Sequence, residues 1–212
     1  MELSAIQKIV IYALPVIFAI TVHEAAHGYA AKYFGDMTAF NAGRISLNPV
    51  HHIDPFGTIL LPALTIMLGG ILFGWAKPVP VNFSRLRDPK KDMLWVAAAG
   101  PASNLIMAVF WALVFKASLG APDAIAFPLA LMSKAGVSIN VVLMVLNLLP
   151  LPPLDGGRIA VSLLPHDLAR SFEQLERYGF IILIALLFTG VLGRILDPLI
   201  SAASSLIFGL VL

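Results

Sequence analysis

No cysteine occurs in the 212 residues, which excludes a disulfide framework and any thiolate metal site. Charge is scarce as well. Asp, Glu, Lys and Arg make up 12% of the chain, about half of the roughly one quarter typical of soluble domains. The net charge is only +2, and the basic residues lie in loops rather than along a stripe, which argues against a nucleic-acid partner. With five histidines in all, a metal site has to draw on a narrow choice of imidazoles and carboxylates. The start of the chain lacks both a basic region and a small-residue cleavage site leading into a polar mature sequence. Residues 1–31 therefore read as a retained span and not as a removed signal peptide.

Hydrophobic residues make up 59% of the sequence, in long runs that recur along its whole length, which is the signature of a membrane protein. A first span over about 9–31 is long enough to cross a hydrocarbon core of ~30 Å, with Pro15 inside it. Further spans are expected at 93–115 and about 127–149. Two shorter apolar runs, roughly 180–192 and 196–212, end the chain. The run 58–75 is broken by Pro62, Gly69 and Gly70 and reads as a re-entrant hairpin or broken helix whose backbone protein must shield. A short β-like piece, "GRISL", precedes it, and "AKPVPVNFSRLRDPKKD" after it reads as a polar loop. No internal repeat appears. The expectation is an all-α polytopic membrane protein, one domain over 1–212, with about four to six transmembrane helices and a re-entrant or β-hairpin segment between the first two core helices. Loops 32–54, 77–92 and 151–177 hold ten of the fourteen Lys and Arg. The positive-inside bias therefore places these loops in the cytoplasm.

Against that background, "HEAAH" at the end of the first span stands out. Positions i and i+4 share a helix face, so His23 and His27 can present two imidazoles to one ion. Glu24, rotated by about 100° from His23, can reach water beside that ion. Zinc suits two imidazoles and a carboxylate with one position left open. It acidifies water, and a neighbouring carboxylate accepts the proton as the water attacks a carbonyl. A pair of interfacial histidines snorkelling to headgroups is the plainer reading, but three ionisable groups in this pattern inside a span mark function. His27 lies five residues before Lys32 and His23 nine, which sinks the ligands roughly 7–14 Å inside the cytoplasmic boundary.

Two histidines leave a hydrolytic zinc site incomplete. The segment "NLLPLPPLDGGR", 147–158, offers the third ligand. Pro150, Pro152 and Pro153 end the preceding helix, Gly156 and Gly157 allow close backbone approach, and Asp155 is expected on a non-helical segment at the depth of the histidines. A solvated Asp in a Pro/Gly turn is an equally good reading of this segment taken alone.

Taken together, "HEAAH", "AGPASN" and "NLLPLPPLDGG", in that order from residue 23 to residue 157, resemble the site-2 protease family of intramembrane zinc metalloproteases. The resemblance implies one Zn2+ held by His23, His27 and Asp155, with Glu24 as general base. It also implies that Asn147 positions substrate or the oxyanion, and that the small residues of "AGPASN", 99–104, pack against the catalytic helices. The substrate implied is a membrane protein, either a single-span helix or a signal-peptide remnant, cut within the lipid bilayer. The active site would face the cytoplasmic side of a prokaryotic plasma membrane. Neither a PDZ-like insertion nor a nucleotide-sensing domain is seen, so recognition is expected from the membrane domain or from a regulatory membrane partner. "GRISL" and "KPVPV" are expected to hold substrate as an added strand.

"HHIDP" reads as a polar loop in which Asp54 and Pro55 start a helix, rather than as a second site built on His51, His52 and Asp54. His166 reads as a surface residue. The rival class is a metal-binding transporter or non-proteolytic scaffold, for which Glu24 directly after His23 has no special use.

Overall fold

The computed structural model describes residues 4–60 and 76–212. The first helix, α1 (Ala5–Tyr33), opens with a reciprocal cap. Gln7 N donates to Ser4 Oγ at 3.2 Å and Ser4 N donates to Gln7 Oε1 at 2.9 Å, so two otherwise unpaired amides are satisfied. Helix α2 (Thr38–Asn41) is a single turn. Short 3-10 and π turns follow at Pro49–His52, Pro55–Leu60 and Phe83–Arg85. Then come α3 (Pro89–Ser118), begun by Asp88 as N-cap with Pro89 at the first helical position, and α4 (Asp123–Asn147). The chain ends through α5 (Asp155–Leu163), α6 (His166–Glu173), α7 (Glu176–Phe188) and α8 (Val191–Val211).

Four of these helices carry windows long and apolar enough to span a membrane, at Val10–Tyr33, Pro89–Ser118, Ala124–Asn147 and Val191–Val211. Helices α1, α3 and α4 pack against one another, and α8 packs against α4 and α3. The main apolar cluster joins Ala108, Trp111 and Ala112 of α3 to Val137, Val141 and Val145 of α4 and to Leu192, Leu196 and Ile207 of α8. Gly136 makes the α3–α4 approach fit, because a Cβ there would stand 2.3 Å from the Trp111 ring. Close packing through small residues is how helices associate where lipid removes the hydrophobic drive. Ile106, Phe188 and Leu210 point away from the protein, as side chains in contact with lipid do. A smaller cluster (Ala31, Leu86, Met93, Val96, Val161 and Ala169) holds the end of α1 against α3, α5 and α6.

Several expectations are corrected. The break between the last two apolar runs falls at Gly190, whose φ of 72° ends α7. The helix after it runs unbroken from Val191 to Val211 through the charged pair Arg194 and Asp197. That makes the last run a full 21-residue span. The connection over 151–177 is largely helical, formed by α5 and α6. No strand occurs among the described residues, so "GRISL" and "KPVPV" are not β-structure. In "KPVPV", Pro78 and Pro80 remove two of the amides that a ladder needs. Of the re-entrant segment expected at 58–75, residues 61–75 lie outside the described residues.

What holds 77–82 instead is a set of bonds to neighbouring loops and to α1. Lys77 N donates to His52 O at 2.9 Å, and Arg44 Nη2 donates to the carbonyls of Lys77 and Pro78 at 3.1 and 3.3 Å. Asn82 N donates to Asp36 Oδ2 at 2.6 Å, while Asp36 Oδ1 accepts from Thr38 N at 2.9 Å and from the Thr38 hydroxyl. Arg87 closes the end of α1 by donating through Nη2 to Tyr33 O. Asp36 is fully buried. Burial pushes its carboxyl up, but donation from the Thr38 hydroxyl and from the amides of Asn82 and Thr38, with Arg85 nearby, holds it below the usual carboxylate range. The native carboxyl therefore binds a proton less readily than the unfolded one. Its stabilisation is complete above about pH 4 and fades as pH falls through the lowered native value. Asp36→Asn is expected to cost about 2 kcal/mol at neutral pH. In thermal unfolding in detergent micelles, the gap between wild type and variant should narrow from pH 7 to pH 3. An equal gap at both pH values contradicts the clamp.

Candidate metal centre

Helix α1 places His23 and His27 on one face, both buried, against α3 and the first turn of α5. Their Nε2 atoms lie 3.1 Å apart. Asp155 completes the group, with Oδ2 at 3.3 Å from His23 Nε2 and Oδ1 at 3.4 Å from His27 Nε2. These are the His and Asp residues whose ligand atoms converge among the described residues.

The other face of each ring fixes its tautomer. His27 Nδ1 lies 2.8 Å from the carbonyl of Val96, which only accepts, so Nδ1 carries the proton. His23 Nδ1 lies 2.6 Å from Asn104 Oδ1. The Asn104 amide is oriented by its own donors, Nδ2 donating to Asn140 Oδ1 at 2.9 Å and to Ala19 O at 3.3 Å. Oδ1 therefore faces the imidazole, and His23 Nδ1 is again the donor. Both Nε2 atoms are left with bare lone pairs, aimed at each other and at a carboxylate. Asp155 Oδ2 is buried with no hydrogen-bond partner.

What this donor set lacks is a cation. A single proton bridges only one of the three contacts, whereas a metal ion takes them all. The separations of 3.1, 3.3 and 3.4 Å match the ~3.3 Å expected between two ligand atoms that each lie ~2.05 Å from a tetrahedral ion. The second partner on each ring nitrogen is likewise what orients histidine ligands in metal sites. The group fits zinc in donor type, number and spacing.

Asp155 is the first residue of α5, not part of a non-helical segment as the prolines had led us to expect. Pro152 and Pro153 precede that helix, and the glycines after Asp155 let it fold back on the loop. A Cβ on Gly156 would stand 2.3 Å from Leu148 O, and one on Gly157 2.4 Å from Pro152 N. Glu24 is not among the converging ligand atoms; its Oε2 accepts from Val79 N at 2.8 Å. Asn147 ends α4, and its Nδ2 donates to Leu143 O at 3.0 Å rather than toward the metal group. His52 is buried and donates to Ser46 O at 2.8 Å. Asp54 Oδ1 accepts from the amides of Phe56 and Gly57, so "HHIDP" is a helix start, as expected. His166 is exposed at the start of α6.

Three residues of the site were missed or undervalued in the sequence. Gly100 touches both imidazoles: a Cβ there would stand 2.4 Å from His27 Nε2 and 2.5 Å from His23 Cε1. Asn104 orients His23, and Asn140 orients Asn104. The available signal was a lone amide in an otherwise apolar span, which must find a partner where water is absent. Gly100→Ala is expected to lower zinc affinity at least tenfold, since the methyl displaces the outer partners' geometry and the ligands together. Zinc retained per purified chain at the wild-type level contradicts this placement.

Comparison with known proteins points the same way. The pattern of peptidase family M50 matches residues 125–189, the segment that contains Asn147 and Asp155. The Bacillus subtilis protein named "Putative zinc metalloprotease YwhC" is 42% identical over 193 residues, covering 89% of this chain and 85% of that protein. The Mycolicibacterium smegmatis protein named "Putative zinc metalloprotease Rip2" is 33% identical over 183 residues, covering 84% of this chain and 66% of its own length. No solved structure matches the chain significantly. With its relatives aligned along nearly the whole length, this chain belongs to peptidase family M50, the site-2 protease family of zinc metalloproteases.

Proposed function

We propose that this protein is an intramembrane zinc endopeptidase that cuts the transmembrane segment of a membrane protein. The observation that carries the reading is the pair of buried imidazole Nε2 lone pairs facing Asp155, one residue away from a carboxylate that is not a ligand, on a helix with the composition of a membrane span. Zinc, when bound, supplies the Lewis acidity that polarises a peptide carbonyl and acidifies water. The chain supplies everything else. His23, His27 and Asp155 hold the ion. Glu24 accepts the proton of the attacking water and returns it to the departing amine, so no covalent intermediate is needed. The Val79 amide, placed between two prolines, engages Glu24 Oε2 and leaves Oε1 to take that proton. Asn147, at the end of α4, is assigned to substrate on the strength of its motif.

Catalysis below the membrane surface implies a substrate helix that unwinds locally, because peptide carbonyls inside a helix are already bonded. A single-span protein or signal-peptide remnant meets that need. The basic loops favour a site toward the cytoplasm, and the bacterial relatives favour the plasma membrane of a prokaryote. A transporter would have no need of Glu24 beside the ligands. Glu24→Gln is expected to retain zinc within twofold and to lower cleavage of a membrane-spanning reporter by about 10²–10⁴-fold. Undiminished cleavage overturns the assigned base, and cleavage equally unaffected by zinc removal overturns the metalloprotease reading.

A further inference from the structure

We propose that Asn140 of α4 is a positioning residue for the metal ligand His23, acting through Asn104 of α3; the proposal rests on the metal-centre reading above and deepens it. Both asparagines are fully buried. The hydrogen bonds form a directed chain across three helices. Asn140 Nδ2 donates to Gly136 O at 2.9 Å. A backbone carbonyl cannot donate, so this contact sets the orientation of the Asn140 amide and turns its Oδ1 toward Asn104. Asn104 Nδ2 donates to that oxygen at 2.9 Å, which turns Asn104 Oδ1 toward His23. His23 Nδ1 then donates at 2.6 Å, and its Nε2 lone pair is left for the ion. The Gly136 carbonyl sets the polarity of the chain, and Ala19 O, at the longer distance of 3.3 Å, reinforces it at Asn104.

Packing alone does not account for an amide at this position. Asn140 is flanked by Val137 and Val141, both in the buried apolar cluster between α3, α4 and α8. A buried amide there is costly unless its groups are bonded. Without Asn140, the acceptor left to Asn104 Nδ2 among the described residues is Ala19 O, at the longer distance of 3.3 Å. Asn104 would then hold His23 less firmly, with its amide freer to flip and present a donor to the ring. The residue touches neither substrate nor ion, so its effect must appear in the state of His23.

Two variants separate this role from a structural one. Asn140→Ser keeps a donor for Gly136 O, as Ser133 and Ser162 do for their own i−4 carbonyls, but is too short to reach Asn104. Asn140→Asp, kept protonated by burial, retains an acceptor for Asn104 and a hydroxyl donor for Gly136 O. Zinc affinity is to be measured by chelator competition in detergent, and the His23 tautomer by nitrogen NMR of histidine-labelled, metal-free protein. Asn140→Ser should weaken zinc binding about tenfold, the low end for outer partners of a histidine ligand, and raise the population of the Nε2–H tautomer. Asn140→Asp should stay within threefold of wild type on affinity and keep the wild-type tautomer. Wild-type behaviour of Asn140→Ser on both readouts, or an equal loss in both variants, overturns the proposal. If wild type itself binds no zinc, the metal-centre reading falls, and the tautomer shift in metal-free protein still decides the relay.

Discussion

Two buried imidazole nitrogens and a carboxylate lie within 3.4 Å of one another, and a metal ion among them satisfies all three contacts at once. The rest of the molecule meets that constraint. The donors that would neutralise the lone pairs are engaged elsewhere: His27 is committed to a helix carbonyl and His23 to an asparagine. Gly100 takes the place of any residue whose side chain would fill the space. The three long helices α1, α3 and α4 pack against one another, and the bonds from His23 to Asn104 to Asn140 tie them together here. Asp155 comes from a fourth element that folds back through tightly packed glycines.

Helix α1 has a second duty. Two of its carboxylates, or residues just beyond its end, grip the same extended segment: Glu24 holds Val79 and Asp36 holds Asn82. Gly28, between them in sequence, lets Ile45 and Val79 press close to the helix. The segment that contacts the proposed base is thereby fixed to the helix that carries the ligands. A shift in 77–82 would be felt at Glu24 without moving His23 or His27.

Much of this was legible in the sequence because membranes make polar residues expensive. "HEAAH" within an apolar span implied a metal pair through its four-residue spacing, while Asp155 was assigned as the third ligand by resemblance, since its proline and glycine surroundings alone fitted a solvated turn equally well. Three of the four long helices followed from runs of the right length; the fourth had been read as two short runs. Less accessible were the features set by how helices cross. The spacing within "AGPASN" does not reveal that Gly100 abuts two imidazoles while Asn104 bonds one of them, since both facts depend on the register of α3 against α1. Pro152 and Pro153 were read as ending α4, although prolines stand equally well before a helix, and Asp155 begins the next one. The last two apolar runs were divided near 192–196, whereas Gly190 makes the break. The family resemblance suggested a strand at "KPVPV", but its prolines leave too few amides for a ladder.

The most direct test of the account is X-ray absorption at the zinc edge of the purified wild-type protein. The expected result is one zinc per chain with two imidazoles and oxygen ligands at ~2.0–2.2 Å, and loss of this shell in His23→Ala and Asp155→Ala. Zinc absent from the intact protein, or bound without imidazole, contradicts the account.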